Sequence, residues 1–210
     1  MFDYCSIEMN EDDQRNIKLY QSLLAEHGDS FRSLDWGSRE SQIKRFEILA
    51  DVGISAGDSV LDVGCGLADF NEWLQQNRPG VNYSGIDITP EMIMRAKARF
   101  PDVDLFNATI FDLKNPEKKY DYVVASGIFF FRKENPMDYM VHVINSMFRI
   151  SSKGVAFNSL STWAKNRTDG EFLADPCEVI DYCRTLSPFV GLRHDYHAAD
   201  FSVFLYHEQQ

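Results

Sequence analysis

Positive charge is scarce in this chain: 21 Lys and Arg stand against 32 Asp and Glu, a formal net charge of −11 over 210 residues. A nucleic-acid binder needs the opposite balance to neutralise phosphates, so neither DNA nor an anionic membrane is an expected partner. Cysteine is sparse as well. Cys5, Cys65, Cys177 and Cys183 form no CxxC pair, and a chain of this length needs no disulfide staples, which fits a reducing, cytoplasmic compartment. The longest apolar run, Val123 to Phe131, is broken by Ser126 and Gly127 and falls far short of the roughly 18 residues that span a bilayer. Met1 to Asn10 carries Asp3 and Glu8 but neither a basic residue nor an apolar stretch, so it does not read as a signal peptide. Internal repeats and low-complexity linkers are absent too.

What is present is an ordinary globular composition, 44% hydrophobic and 25% charged, long enough for one domain with a sizeable core. Residues 11–27 read as a polar helix with Ile17, Leu19, Tyr20, Leu23 and Leu24 as a partial apolar face, ended by Gly28. After an irregular piece containing Trp36 and Gly37, Ser38 can cap a second helix with Ile43, Phe46, Leu49 and Ala50 at helical spacing. From Ser59 onward, short apolar strands alternate with amphipathic helices. Strands are expected at 59–63, 82–87, 103–106, 120–126, 154–158, 190–196 and 201–207. The intervening helices should open near residue 68, at Pro90 behind Thr89, at Asn135-Pro136 and at Asp175-Pro176. Such alternation predicts an α/β fold, a doubly wound, seven-stranded, mostly parallel sheet with helices on both faces. Too few residues join the last two strands for a parallel crossover, so they should form an antiparallel hairpin and leave one strand reversed.

The most informative segment is Val60-Leu61-Asp62-Val63-Gly64-Cys65-Gly66-Leu67-Ala68-Asp69, a strand that runs into a glycine turn and a helix. Glycines there let the backbone approach a ligand. A dinucleotide fold wants a third glycine where Asp69 stands, and the lysine of a P-loop is missing. Asp62, an acid inside the strand, is costly unless a cationic ligand or the amides of the turn satisfy it. Tyr83-Ser84-Gly85-Ile86-Asp87-Ile88 places a second acid at the next strand's end, 21 residues beyond Gly66, where a carboxylate can accept both hydroxyls of a ribose. Tyr120 to Gly127 is a strand ending in small residues, which leaves space at the sheet's carboxyl edge.

In that order the three segments resemble the class I S-adenosylmethionine-dependent methyltransferases, whose fold is Rossmann-like, and the resemblance covers about residues 38–207. It implies a single methyltransferase domain over 1–210 with residues 1–37 as a helical N-terminal cap or lid. It also implies S-adenosylmethionine as cofactor, with Gly64, Cys65 and Gly66 under its methionine part, Asp62 near its amino end and Asp87, beside Ile88, on the ribose. The family often has glycine where Ala68 stands. It also often has an acid after the third strand for the adenine, and Asn107-Ala108-Thr109-Ile110 supplies none, so that contact falls to Thr109, Ile110 or backbone amides. Ser126 closes the set. The implied activity is methyl transfer to a small molecule at O, N or C. A nicotinamide-dependent reductase and a non-catalytic nucleoside-binding protein are the alternatives.

Methyl transfer asks mainly for alignment, with a base only where the acceptor must lose a proton. The candidates are His194, Tyr196 and His197 near the late strand ends, whose bland alternative is a polar turn. His142 and His27 read as structural. Phe129 and Phe130, with Phe131, Arg132 and Lys133, follow the fourth strand where acceptors meet the cofactor in such folds. Three phenylalanines in a loop need covering, either by a small apolar or aromatic acceptor or by the N-terminal segment, with the latter the expected cover because folding alone requires it. Asn158, Trp163 and Trp36 complete the expected acceptor pocket, with Tyr4 and Tyr20 as further lid residues.

Overall fold

Strands and helices alternate where the apolar pattern does, in a computed structural model that describes residues 10–113, 120–131, 134–165, 168 and 170–210. Tyr4, Cys5, Arg132, Lys133 and the start of the expected cap lie outside the described residues. Strands β1 (Ser59–Val63), β2 (Asn82–Asp87), β3 (Asp104–Asn107), β4 (Tyr120–Ala125), β5 (Ser151–Leu160), β6 (Val190–Arg193) and β7 (Asp200–Tyr206) make one sheet in the order β3-β2-β1-β4-β5-β7-β6. The pairs β1–β2, β1–β4, β2–β3 and β4–β5 are parallel, whereas β7 runs antiparallel to both β5 and β6. The order of the chain reverses between β1 and β4, and the crevice beyond their carboxyl ends is where an open α/β sheet takes its ligand.

Neighbouring residues of the central strands are buried on opposite faces. Val123 and Val155 join Met140, Ile144 and Met147 of α5 (Pro136–Ile150) and Val179 of α6 (Pro176–Leu186). Val124 and Ala156 join Phe46 and Leu49 of α2 (Arg39–Ala50), Phe70 and Leu74 of α3 (Asp69–Asn77) and Ile93 of α4 (Pro90–Arg99). Burial on both faces is what a parallel sheet between helix layers requires. Against these layers α1 (Glu11–His27) is a lighter element. Among its apolar residues only Leu24 is fully buried, against Leu67 and Met92, with Tyr20 and Leu34 alongside. A capping box between Asn10 and Asp13 starts α1, and Asp12 accepts the Glu134 N–H at 3.1 Å, which ties α1 to the loop beyond β4.

Several expectations shift by a residue or more. β5 runs from 151 to 160 because it is paired on both sides, and β6 stops at Arg193, the last residue in register with β7. Ser38 caps α2 and Asp175 caps α6 through their side chains, but Thr89 makes no such bond; the Asp87 carboxylate takes its N–H at 2.7 Å. The buried face of α2 includes Gln42 and Arg45, with Ile43 only half-buried. Short 3₁₀ turns fill Phe31–Leu34 and Ile110–Asp112. Among the described residues no helix is long and apolar enough to cross a membrane.

Candidate active site

The start of the turn after β1 is held by backbone: Gly64 N–H and Cys65 N–H both donate to the Ile86 carbonyl, at 2.8 and 3.0 Å. Gly64 and Gly66 have φ of 76° and 52°, a region that side chains avoid. A Cβ on Gly64 would collide with Ile128, and one on Gly66 would come within 2.6 Å of Leu34 Cδ2. The crowding therefore comes from the protein's own side chains as well as from any ligand. Ala68, at φ 59°, occupies the same left-handed region without being glycine.

Asp87 ends β2 beside this turn. Its Oδ2 accepts from Gly66 N–H at 2.9 Å and its Oδ1 from Thr89 N–H, so both oxygens keep lone pairs in reserve. Burial raises its pKa while those amides pull it down. The turn's amides do not reach Asp62 among the described residues; the Tyr83 hydroxyl donates to its Oδ2 at 2.7 Å across the β1–β2 pair. Burial pushes its pKa up to about 7, against the pull of the Tyr83 hydrogen bond, with the Asp87 charge adding to the rise.

A cavity of about 390 Å³ opens over these groups. Every residue expected at the cofactor lines it: Asp62, Gly64, Cys65, Gly66, Asp87, Ile88, Thr109, Ile110 and Ser126. Asp112 does not line it, because its carboxylate caps Thr109 at 2.7 and 2.8 Å. That bond also takes the Thr109 amide. Trp36, Phe129, Phe130 and Asn158 line the cavity too, with Asn158 bonded to Gly127 N–H and Ser126 Oγ. Phe129 is buried against Tyr139 of α5 and Phe157 of β5. Trp163 is 51% exposed, lies outside the cavity and stacks on His194.

The three base candidates are not brought together. His194 Nε2 bonds Ser161 Oγ at 2.8 Å and Tyr196 OH bonds Ser202 Oγ at 2.8 Å, and neither residue lines the cavity. His197 does line it. Its Nδ1 accepts the Ala199 N–H at 3.2 Å, and burial, then the charges of Arg45 and His194, lower its pKa.

Other cavity residues escaped the sequence reading. Arg45 bonds the Ser41 carbonyl, forms a buried ion pair with Asp200 and lies over the Trp36 ring at 4.9 Å. Asp69 receives Arg39 and Gln42 on one oxygen and Arg99 on the other, clamping α2, α3 and α4 together. Glu171 lines the end near Phe130 and Phe131. The available signal for Arg45 was its spacing: positions 42, 45, 46 and 49 recur at helical intervals, which sets its charge on the apolar stripe of α2. Glu171 carried none, because it reaches the cavity through tertiary folding of a loop.

Residues 60–153 match a family described as a methyltransferase domain. The structure of magnesium protoporphyrin IX methyltransferase from Synechocystis PCC 6803 with bound SAM is similar at a TM-score of 0.66. It covers 95% of this chain and 100% of that one at 13% identity, a likeness of fold. Trans-aconitate 2-methyltransferase of Escherichia coli O157:H7 is 35% identical over 83 residues, 39% of this chain and 32% of that enzyme. A Mycobacterium tuberculosis protein with a methyltransferase name is 32% identical over 161 residues, 72% of this chain and 96% of its own length. With that relative matched along nearly its whole length, the chain belongs to the class I S-adenosylmethionine-dependent methyltransferases, which draw their methyl group from S-adenosylmethionine.

Proposed function

We propose that the cavity seats S-adenosylmethionine across the ends of β1, β2 and β4, and that the chain methylates a small-molecule acceptor lodged beyond Ser126 and Asn158. The observation that carries the reading is Asp87, a half-buried carboxylate beside the glycine turn with lone pairs left over after its two amides. Those lone pairs suit two ribose hydroxyls. Asp62 would lie near the amino end, the Gly64–Gly66 turn under the methionine part, and Thr109 with Ile110 against the adenine. S-adenosylmethionine supplies a methyl group already activated on a sulfonium. The work left to the chain is to align the acceptor and exclude water, for which Leu34 and Trp36 lie over the turn and over Gly127.

The reading takes residues 1–210 as one methyltransferase domain with 1–37 as its cap, in a cytoplasmic setting in line with the free thiols of Cys65, Cys177 and Cys183. Trans-aconitate and magnesium protoporphyrin IX, named in the relatives above, are small acceptors. Calorimetric titration with S-adenosylmethionine, S-adenosylhomocysteine and NAD tests it. Asp87→Asn should weaken S-adenosylhomocysteine at least about tenfold, since a hydrogen bond to a charged group is worth roughly 1.5–3 kcal/mol. Unchanged affinity in that folded variant overturns the ribose assignment, and preference for NAD overturns the cofactor.

A further inference from the structure

The charges that line the cavity are not equally committed. Asp69 is taken up by Arg39, Gln42 and Arg99, Asp87 by two amides, Asp62 by Tyr83 and Asp200 by Arg45. Arg45, the one guanidinium among the described lining residues, is itself spent on Asp200, Ser41 and the Trp36 face. No free cation is therefore offered to an anionic acceptor by the described residues.

Asp35 lines the cavity as well and its carboxylate makes no hydrogen bond or ion pair among the described residues, but it is exposed; Glu171 is different. It lines the cavity half-buried, and among the described residues its carboxylate has no hydrogen bond or ion pair. It lies next to Phe172, whose N–H donates to the Phe130 carbonyl at 2.9 Å, which ties the backbone at Glu171 to the loop that carries the aromatic pair. The Phe130 and Phe131 rings stand 4.2 Å apart at 38° and both line the same cavity. A carboxylate that lacks a partner, in one concave site with a pair of aromatic rings, has the chemistry of an ammonium-binding site, because ring faces and carboxylate both attract positive charge. His197 does not compete for that role: with Nδ1 accepting from Ala199, its neutral ring carries hydrogen on Nε2 and presents a donor.

We infer that Glu171, with Phe130 and Phe131, selects an acceptor bearing a cationic amine, which makes the reaction an N-methylation; this rests on the methyl-transfer reading above. The ammonium binds by donating to Glu171 and loses one proton to solvent. The amine nitrogen then forms the bond to the methyl carbon as the S–C bond breaks, its electron pair staying on sulfur. The product amine, S-adenosylhomocysteine and one proton balance the step.

The probes are 2-phenylethylamine and phenylacetate, a matched pair of opposite charge, titrated into protein saturated with S-adenosylhomocysteine. Saturation is first established by calorimetry, so that failure of the cofactor reading is seen before either probe is added. The expected result is binding of the amine at least about tenfold tighter than the acid, with that preference lost in Glu171→Gln and reversed in Glu171→Lys. S-adenosylhomocysteine affinity and melting temperature should stay near the parent values in both variants. Tighter binding of phenylacetate, an amine preference that survives Glu171→Gln, or binding of neither probe at millimolar concentration overturns the proposal while leaving cofactor binding intact.

Discussion

Replacing Asp62 by asparagine separates what a buried carboxylate offers the cofactor from what it costs the fold. Asp62 is 4% exposed, and its pKa is lifted from 3.8 to about 7 in the folded chain. Between those values the folded protein holds a proton that the unfolded chain has released, so stability falls as pH rises through this window. About three pKa units at roughly 1.4 kcal/mol each give a loss of about 4 kcal/mol, complete by about pH 8. The asparagine side chain would keep a carbonyl oxygen for the Tyr83 hydroxyl but bring an amide group lacking a partner, at about 1–3 kcal/mol when buried. The difference makes Asp62→Asn more stable than the parent by about 1–3 kcal/mol at pH 8 and less stable at pH 4. Asp35 also has a raised pKa, through burial, but it is common to both proteins and cancels, whereas the Asp87 charge is one source of the Asp62 rise and so belongs to the penalty that the substitution removes. Urea unfolding of the cofactor-free proteins at pH 4, 6 and 8 measures it, with S-adenosylhomocysteine titration alongside to show the expected loss of affinity. A stability difference that does not change with pH refutes the reasoning, because the penalty would then not be one of ionisation.

Three further outcomes are expected. Ala68→Gly should leave cofactor affinity unchanged and move stability by less than about 1 kcal/mol in thermal unfolding, since relief of a left-handed alanine at the start of α3 is offset by loss of its buried methyl and a looser unfolded chain. Arg45→Met should cost about 3–5 kcal/mol by stranding the Asp200 carboxylate, and adding Asp200→Asn should restore most of it in the same melts. His197→Ala should lower turnover less than about tenfold, because the hydrogen-free nitrogen of its neutral ring is already occupied by Ala199; a loss of about 10²–10⁴ in steady-state assays would show the ring acting as base.

The proposed cofactor end was readable because its residues are consecutive: one strand, its glycine turn and an acid at the next strand's end bring Asp62, Gly64, Gly66 and Asp87 together through adjacent parallel pairing. Periodicity and caps likewise placed α1, β2 and α4 at their observed bounds, since backbone hydrogen bonding within an element is local. His194, Tyr196 and His197, consecutive but for Asp195, were by contrast drawn to different partners, His194 to the distant Ser161 and the other two to Ser202 and Ala199 nearby, and a run of polar residues carries no record of which one will face inward.

By itself, then, the sequence determined the alternation of strands and helices, the reversed strand next to β6 and the two carboxylates beside the glycine turn. Tertiary structure alone decided that Tyr83 would satisfy Asp62, that Arg45 would be spent on Asp200, and that Glu171 would stand without a partner among the described residues beside Phe130. The physical reason is range: propensity, capping and period act within about a turn of chain, whereas the partner of a buried charge is fixed by which distant segments pack against it.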